Sequence, residues 1–128
     1  MSNCFIILAA GESKRFNSKI PKPYHFYKGK PLIQHSINKA LNCKKFNKII
    51  VVINKKHLKF IKNLKLKNIK IVIGGKTRAE SAYKALKSIQ KNSVSKVFIH
   101  DAARPGIDHD IINKLIISSK NNGKAIKI

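Results

Sequence analysis

Three short stretches of this 128-residue chain combine residue types suited to phosphate chemistry, each directly after an apolar run. The first reads Ala9-Ala10-Gly11-Glu12-Ser13-Lys14-Arg15-Phe16 and continues to Ile20-Pro21-Lys22-Pro23. Small residues and a glycine after a buried strand let backbone N–H groups approach a polyphosphate closely. Arg15 and Lys22 place two cations on one loop, and Pro21 fixes the backbone beside Lys22. The spacing excludes the dinucleotide fingerprint, because no third glycine follows Gly11, and it excludes a P-loop, because no Gly-Lys-Ser/Thr triplet exists. A plain strand-to-helix turn with two solvated cations is the competing interpretation.

The second stretch is Gly74-Gly75-Lys76-Thr77-Arg78-Ala79-Glu80-Ser81. A glycine pair at a strand end lets main chain lie against a flat base, and the following helix N-terminus supplies donors. Equally, the pair could be a simple turn, with Thr77 and Glu80 only a capping box. Ser81 could bond back within the helix or contact a ligand. The third stretch is His100-Asp101-Ala102-Ala103-Arg104-Pro105. A carboxylate at the tip of a buried strand is where a nucleotidyltransferase would hold Mg²⁺, a cation satisfied by one or two carboxylates plus substrate phosphates. An ion pair between Asp101 and Arg104 is the alternative, and both can hold together. His100 reads as a packed strand-end residue, and His25, His35, His57 and His109 form no ligand cluster.

The elements that must carry these loops alternate in type. Residues 3–9, 48–53, 69–73 and 96–100 are continuous apolar runs of the kind found in a sheet buried on both faces. Between them, Pro31 opens a helix with Ile33, Ile37, Ala40 and Leu41 on one face, and residues 55–64 read as a lysine-rich helix. Thr77 opens a helix with Ala79, Ala82, Tyr83 and Leu86 inward. Asp108 caps a helix bearing Ile111, Ile112, Leu115 and Ile116 that ends at Gly123. The alternation predicts an α/β fold: a doubly wound, mostly parallel sheet with helices on both faces. Residues 125–128 read as the start of a fifth strand, so the domain is expected to be C-terminally truncated. In such sheets ligands bind beyond the carboxyl ends of the strands, which puts all three loops at one edge.

Composition narrows the partners. No apolar run reaches the ~20 residues of a membrane span, and Met-Ser-Asn-Cys has no basic region of a signal peptide. The formal charge is +23, but lysine supplies 25 of the 28 basic residues, spread along the chain, with no tryptophan. Nucleic-acid readers favour arginine and aromatic stacking platforms, so no dedicated nucleic-acid partner is expected. The field should instead help attract a polyanionic small substrate. Cys4 and Cys43 lack metal-ligand spacing and read as free thiols in a reducing cytoplasm. The chain's three arginines, Arg15, Arg78 and Arg104, each fall in one of the three loops, where a planar bidentate donor is useful.

Taken in order, Ala9-Ala10-Gly11-x-x-x-Arg15 with Pro21-Lys22, Gly74-Gly75-x-x-Arg78-x-x-Ser81, and His100-Asp101-Ala102-Ala103-Arg104-Pro105 resemble the 2-C-methyl-D-erythritol 4-phosphate cytidylyltransferase family. The resemblance covers essentially the whole chain, although the family's chains are longer. It implies a Rossmann-like nucleotidyltransferase fold, of which residues 1–128 are the N-terminal, CTP-binding part. It also implies cytidylyl transfer from CTP to methylerythritol phosphate with release of pyrophosphate, a step of non-mevalonate isoprenoid biosynthesis. Arg15 and Lys22 would then stabilise the transition state. Ala9, Ala10, Gly11 and Ser13 would line the triphosphate, Gly74, Gly75 and Ser81 the cytidine, and Asp101 with Ala102 the nucleotide near Mg²⁺, with Asp101 as metal ligand. Arg78 and Arg104 would brace the loops. Ser13 stands where the family often has a second glycine, and Pro23 where it often has glutamine. The acceptor contacts, a dimerising arm and a further catalytic lysine fall beyond residue 128 by the same resemblance. This segment is therefore expected to hold nucleotide weakly and not to turn over alone, and the full-length protein to be a homodimer; in some bacteria a second pathway enzyme is fused behind this one, and the sequence leaves open whether it is so here. A ribitol- or other sugar-alcohol-phosphate cytidylyltransferase is the nearest rival; those relatives tend to carry glycine in place of Ala10 and a bulkier residue at Ala103. A nucleic-acid-binding module is the rival of another class.

Overall fold

Apolar runs with few charges form the strands, and the order of the strands places the loops. The computed structural model describes residues 2–11, 20–90, 93–102 and 126–127. Along the chain run β1 (Asn3–Ala9), the short pair β2 (Phe26–Tyr27) and β3 (Lys30–Pro31), helix α1 (Leu32–Asn42), β4 (Lys48–Ile53), β5 (Ile69–Ile73), helix α2 (Arg78–Lys87), β6 (Lys96–Asp101) and β7 (Ile126–Lys127). Among the described residues, β1, β4, β5, β6 and β7 form one sheet in the order β5-β4-β1-β6-β7. Every neighbouring pair in it is parallel. The doubly wound sheet and its fifth strand match the pattern in the sequence.

The period-2 alternation of β1 divides the core in two. Phe5, Ile7 and Ala9 join Ile33, Ile37 and Ala40 of α1 on one face, with Ile49, Val51 and Ile53 from β4. Cys4, Ile6, Leu8 and Ala10 join Ala85 of α2 on the other, with Ile50 and Val52. Phe5, Ile6 and Ile7 have no exposed surface, and each such side chain contributes roughly 1.5–3 kcal/mol by leaving water. Burial also pushes the Cys4 thiol from its ordinary 9.0 up to about 11, so it stays protonated. His100 is buried as well, with its ring 6.0 Å from that of Phe5, which fits a packing residue.

Several elements differ from expectation. Residues 55–64 do not make an α-helix. Lys55–Ile61 is a 3-10 helix with no fully buried residue: Phe60 and Ile61 pack part-buried against the core, and the lysines around them leave too narrow an apolar face to sustain a longer helix. In α1, Leu41 is exposed, and Leu32, Gln34 and Ser36 are buried beside Ile33 and Ile37. Gln34 is tolerated there because its amide exchanges hydrogen bonds with the backbone of Lys65, accepting at 2.8 Å and donating at 3.4 Å. Pro31 is the residue before the helix, not its first turn. In α2 the inward face is Ser81 and Ala85, with Ala82 part-buried against the core as expected, while Ala79, Tyr83 and Leu86 are exposed. Small side chains let that helix lie close to β1 and β4, which the larger apolar residues would prevent. The β2–β3 hairpin has no counterpart among the strands expected from the sequence. Its turn has φ of 48° at Lys28 and 82° at Gly29, the two consecutive positive values of a tight two-residue hairpin. The proposed helix after Asp108, with Ile111, Ile112, Leu115 and Ile116, lies outside the described residues.

Candidate functional site

From β1 the chain builds outward through β4 to β5, then returns to place β6 on the other flank of β1. A crevice at such a reversal, beyond the strands' carboxyl ends, is where ligands bind in open α/β sheets. A cleft of about 240 Å³ lies there, lined by residues 8–11, Lys22, Pro23, residues 75–78, Ser81 and Asp101. Hence Ala9, Ala10, Gly11, Lys22, Gly75, Ser81 and Asp101, all singled out from the sequence, converge on one space. Gly74 and Ala102 sit behind the lining. Arg15, Ser13 and Arg104 lie outside the described residues.

Each loop is held by bonds to its neighbours. Ala102 is fully buried and its N–H donates to the Leu8 carbonyl at 2.9 Å, tying the third loop to the first. The Gly74 N–H donates to the Ile53 carbonyl at 2.8 Å. A Cβ at position 74 would fall 2.5 Å from Ala10 Cβ and 2.6 Å from Ser81 Oγ, so only glycine lets the second loop seat against the first. At position 75 an added Cβ would run into the Glu80 side chain. The buried Ser81 Oγ accepts from the Gly75 N–H at 3.1 Å, bracing the glycine pair and leaving its own proton to donate. Thr77 caps α2 by accepting from the Glu80 N–H at 3.1 Å. The Glu80 carboxylate accepts from the Lys76 N–H at 3.1 Å, one residue earlier than in a reciprocal capping box, so it wraps the loop as well as the helix end.

Two contributors carried no signal of their own in the sequence reading. Asn54, just past β4, donates to the Ala10 carbonyl at 3.1 Å while accepting from the Lys56 N–H at 2.9 Å. A cap-forming residue type directly after a buried strand was the available clue. Tyr24 ends the 3-10 turn Lys22–Tyr24 that begins with the cleft lysine, and its N–H donates to the Pro21 carbonyl at 2.9 Å. The buried ring stacks on Phe60 at 5.1 Å and meets His57 edge-on at 6.0 Å, anchoring the turn. Burial pushes the Tyr24 hydroxyl up to about 12, so it stays neutral.

Asp101 pairs with Arg78; Arg104, the partner that the sequence suggests, lies outside the described residues. The Arg78 Nε lies 3.1 Å from Asp101 Oδ1. Both side chains are partly exposed, 46% and 25%, so the pair adds little stability and its effect is to cross-link the second and third loops. Among the described residues no group of three or more His, Cys, Asp or Glu side chains could cage a metal. One carboxylate facing a cleft made of backbone donors and lysine suits a hard cation that takes most of its ligands from phosphate and water, as Mg²⁺ does. None of the described helices is long and apolar enough to cross a membrane.

This geometry has close counterparts. A sequence profile of 2-C-methyl-D-erythritol 4-phosphate cytidylyltransferase, IspD, matches residues 3–128. The chain is 63% identical over 122 residues to the bifunctional enzyme IspD/IspF of Pelagibacter ubique (strain HTCC1062), covering 95% of this chain and 33% of that protein. It is 44% identical over 113 residues to the 2-C-methyl-D-erythritol 4-phosphate cytidylyltransferase of Wigglesworthia glossinidia brevipalpis, covering 87% of this chain and 48% of the relative. The solved structure of the bifunctional IspDF from Campylobacter jejuni superposes with a TM-score of 0.79 at 31% identity, covering 94% of this chain and 31% of that one. The chain thus spans between a third and a half of the length of these relatives.

Proposed function

The chain belongs to the 2-C-methyl-D-erythritol 4-phosphate cytidylyltransferase family, and from that premise we propose that its cleft is the CTP site of a cytidylyltransferase. In the proposed reaction a phosphate oxygen of methylerythritol phosphate attacks the α-phosphorus of CTP. A new P–O bond forms, the bond to the β-phosphate's bridging oxygen breaks, and pyrophosphate leaves. The observation that carries the reading is the convergence of Ala9–Gly11, Lys22, Gly75, Ser81 and Asp101 on one cleft at the sheet's switch point.

The roles follow from what each group can do there. Backbone N–H groups of the small residues 9–11 meet the triphosphate at the end of β1. Lys22, held on its turn by the Tyr24 ring, places a cation beside the same loop. Fixed positive charge is most effective where charge accumulates on phosphoryl oxygens in the transition state. Arg15 joins Lys22 in that role. The braced Gly75 main chain and the Ser81 hydroxyl face the cytidine, with Gly74 seating the loop behind them. Asp101 would hold Mg²⁺, which when bound supplies positive charge to the triphosphate oxygens. The full-length protein is proposed to work as a cytoplasmic homodimer.

The test is nucleotide binding by the purified chain, followed by thermal shift and calorimetry with CTP and ATP, each with Mg²⁺. Preferential stabilisation by CTP is expected, together with a loss of affinity of at least tenfold in Lys22→Ala and Arg15→Ala. Equal response to CTP and ATP, or indifference to both substitutions, would refute the assignment.

A further inference from the structure

Arg78 stands out because its charge is directed at the one carboxylate that lines the cleft among the described residues. It is the first residue of α2, and it reaches from the second loop to the tip of β6, 23 residues along the chain. The guanidinium Nε is 3.1 Å from Asp101 Oδ1. A divalent cation at Asp101 therefore meets an adjacent fixed positive charge as well as a strongly positive protein, with a formal charge of +23. Coulomb repulsion from a unit charge a few ångströms away offsets part of the attraction of the carboxylate for such an ion.

We infer that Arg78 is a positioning residue that competes with the metal for Asp101, so that divalent cation enters the cleft only together with nucleotide. This inference rests on the nucleotide-site reading above. The triphosphate brings the negative charge that Asp101 alone lacks. Its oxygens can accept hydrogen bonds from the guanidinium, which presents five N–H donors, and they complete the oxygen shell of the ion. Arg78 thereby turns from neutralising Asp101 to neutralising phosphate, and the carboxylate becomes available to the metal. The consequence is an ordered site: weak for bare metal, strong for the metal–nucleotide pair.

The experiment is a titration of the chain with Mn²⁺ as the probe, followed by the electron paramagnetic resonance signal of the free ion, with and without CTP. Wild type should take up Mn²⁺ weakly alone and much more tightly with CTP. Arg78→Gln should bind Mn²⁺ without nucleotide about three- to tenfold more tightly than wild type, allowing for solvent screening of a part-exposed pair. Arg78→Lys, which keeps the charge, should stay near the wild-type value. The gain must disappear when Asp101→Asn is added to Arg78→Gln. Unchanged nucleotide-free affinity in Arg78→Gln, or a gain that survives Asp101→Asn, overturns the inference. Failure of the function reading would look different, because no variant would then show CTP-dependent uptake beyond the chelation of Mn²⁺ by CTP measured without protein.

Discussion

At the scale of single residues, Gly74 couples the site's parts more tightly than any side chain does. Adding one methyl group there places it 2.5 Å from Ala10 Cβ, 2.6 Å from Ser81 Oγ and 3.0 Å from Val52 Cγ1, so three elements must shift at once. Gly74→Ala is expected to destabilise the protein by about 1–3 kcal/mol, the usual cost of overpacking. It should also weaken CTP binding, since the second loop can no longer seat on the first. Urea denaturation measures the first effect, and Ala10→Gly combined with Gly74→Ala should recover part of the loss. A double variant no better than the single one would show that the Ala10 contact is not the cause. The glycine pair was legible in the sequence as a break and a place of close approach, but its partner was not. Ala10 lies far upstream, and only the pairing of β1 with β4 and of β4 with β5 brings the two together. Asp101 teaches the same lesson: its partner Arg78 comes from another strand's loop, 23 residues away in the chain.

At the scale of elements, the strands were readable because a strand buried on both faces needs a continuous apolar run, and lysine-rich surroundings make such runs conspicuous. Helix faces were less readable. The periodicity of α2 points to Tyr83 and Leu86, yet Ser81 and Ala85 face the sheet, because the Thr77 cap and the close approach of the helix set its rotation. Asn54 shows how one side chain can join elements that no local pattern links. It caps the 3-10 helix Lys55–Ile61 and holds the Ala10 carbonyl. Asn54→Ala should cost about 1–2 kcal/mol through the lost cap and the lost bond, and should lower CTP affinity. Asn54→Ser, which can still cap but is too short to hold the carbonyl in the same way, should recover stability more than affinity. Chemical denaturation and calorimetry on the two variants separate these effects, and parallel recovery of both would contradict the assigned division of roles.

At the scale of the whole molecule, a formal charge of +23 on 128 residues means that most surface charges repel one another. Both carboxylates of the described residues, Glu80 and Asp101, stand at the cleft edge of the sheet and are engaged with loop groups. Raising NaCl from about 20 to about 200 mM shortens the screening length from roughly 20 to roughly 7 Å. The melting temperature should therefore rise by a few degrees, as read by circular dichroism. A fall over that range would mean that attraction, not repulsion, dominates the surface. The sheet order carries a consequence of a different kind, for the time course of synthesis. β1 is made before both strands that it bonds to, β4 on one side and β6 on the other, with Asn3 paired to Lys96. At about 5–20 residues per second, the translating chain keeps this buried strand waiting several seconds for that second neighbour. During that interval the same buried edge that later supports the cleft is open to wrong partners, so this fold places its greatest demand on chaperones before its last strands exist.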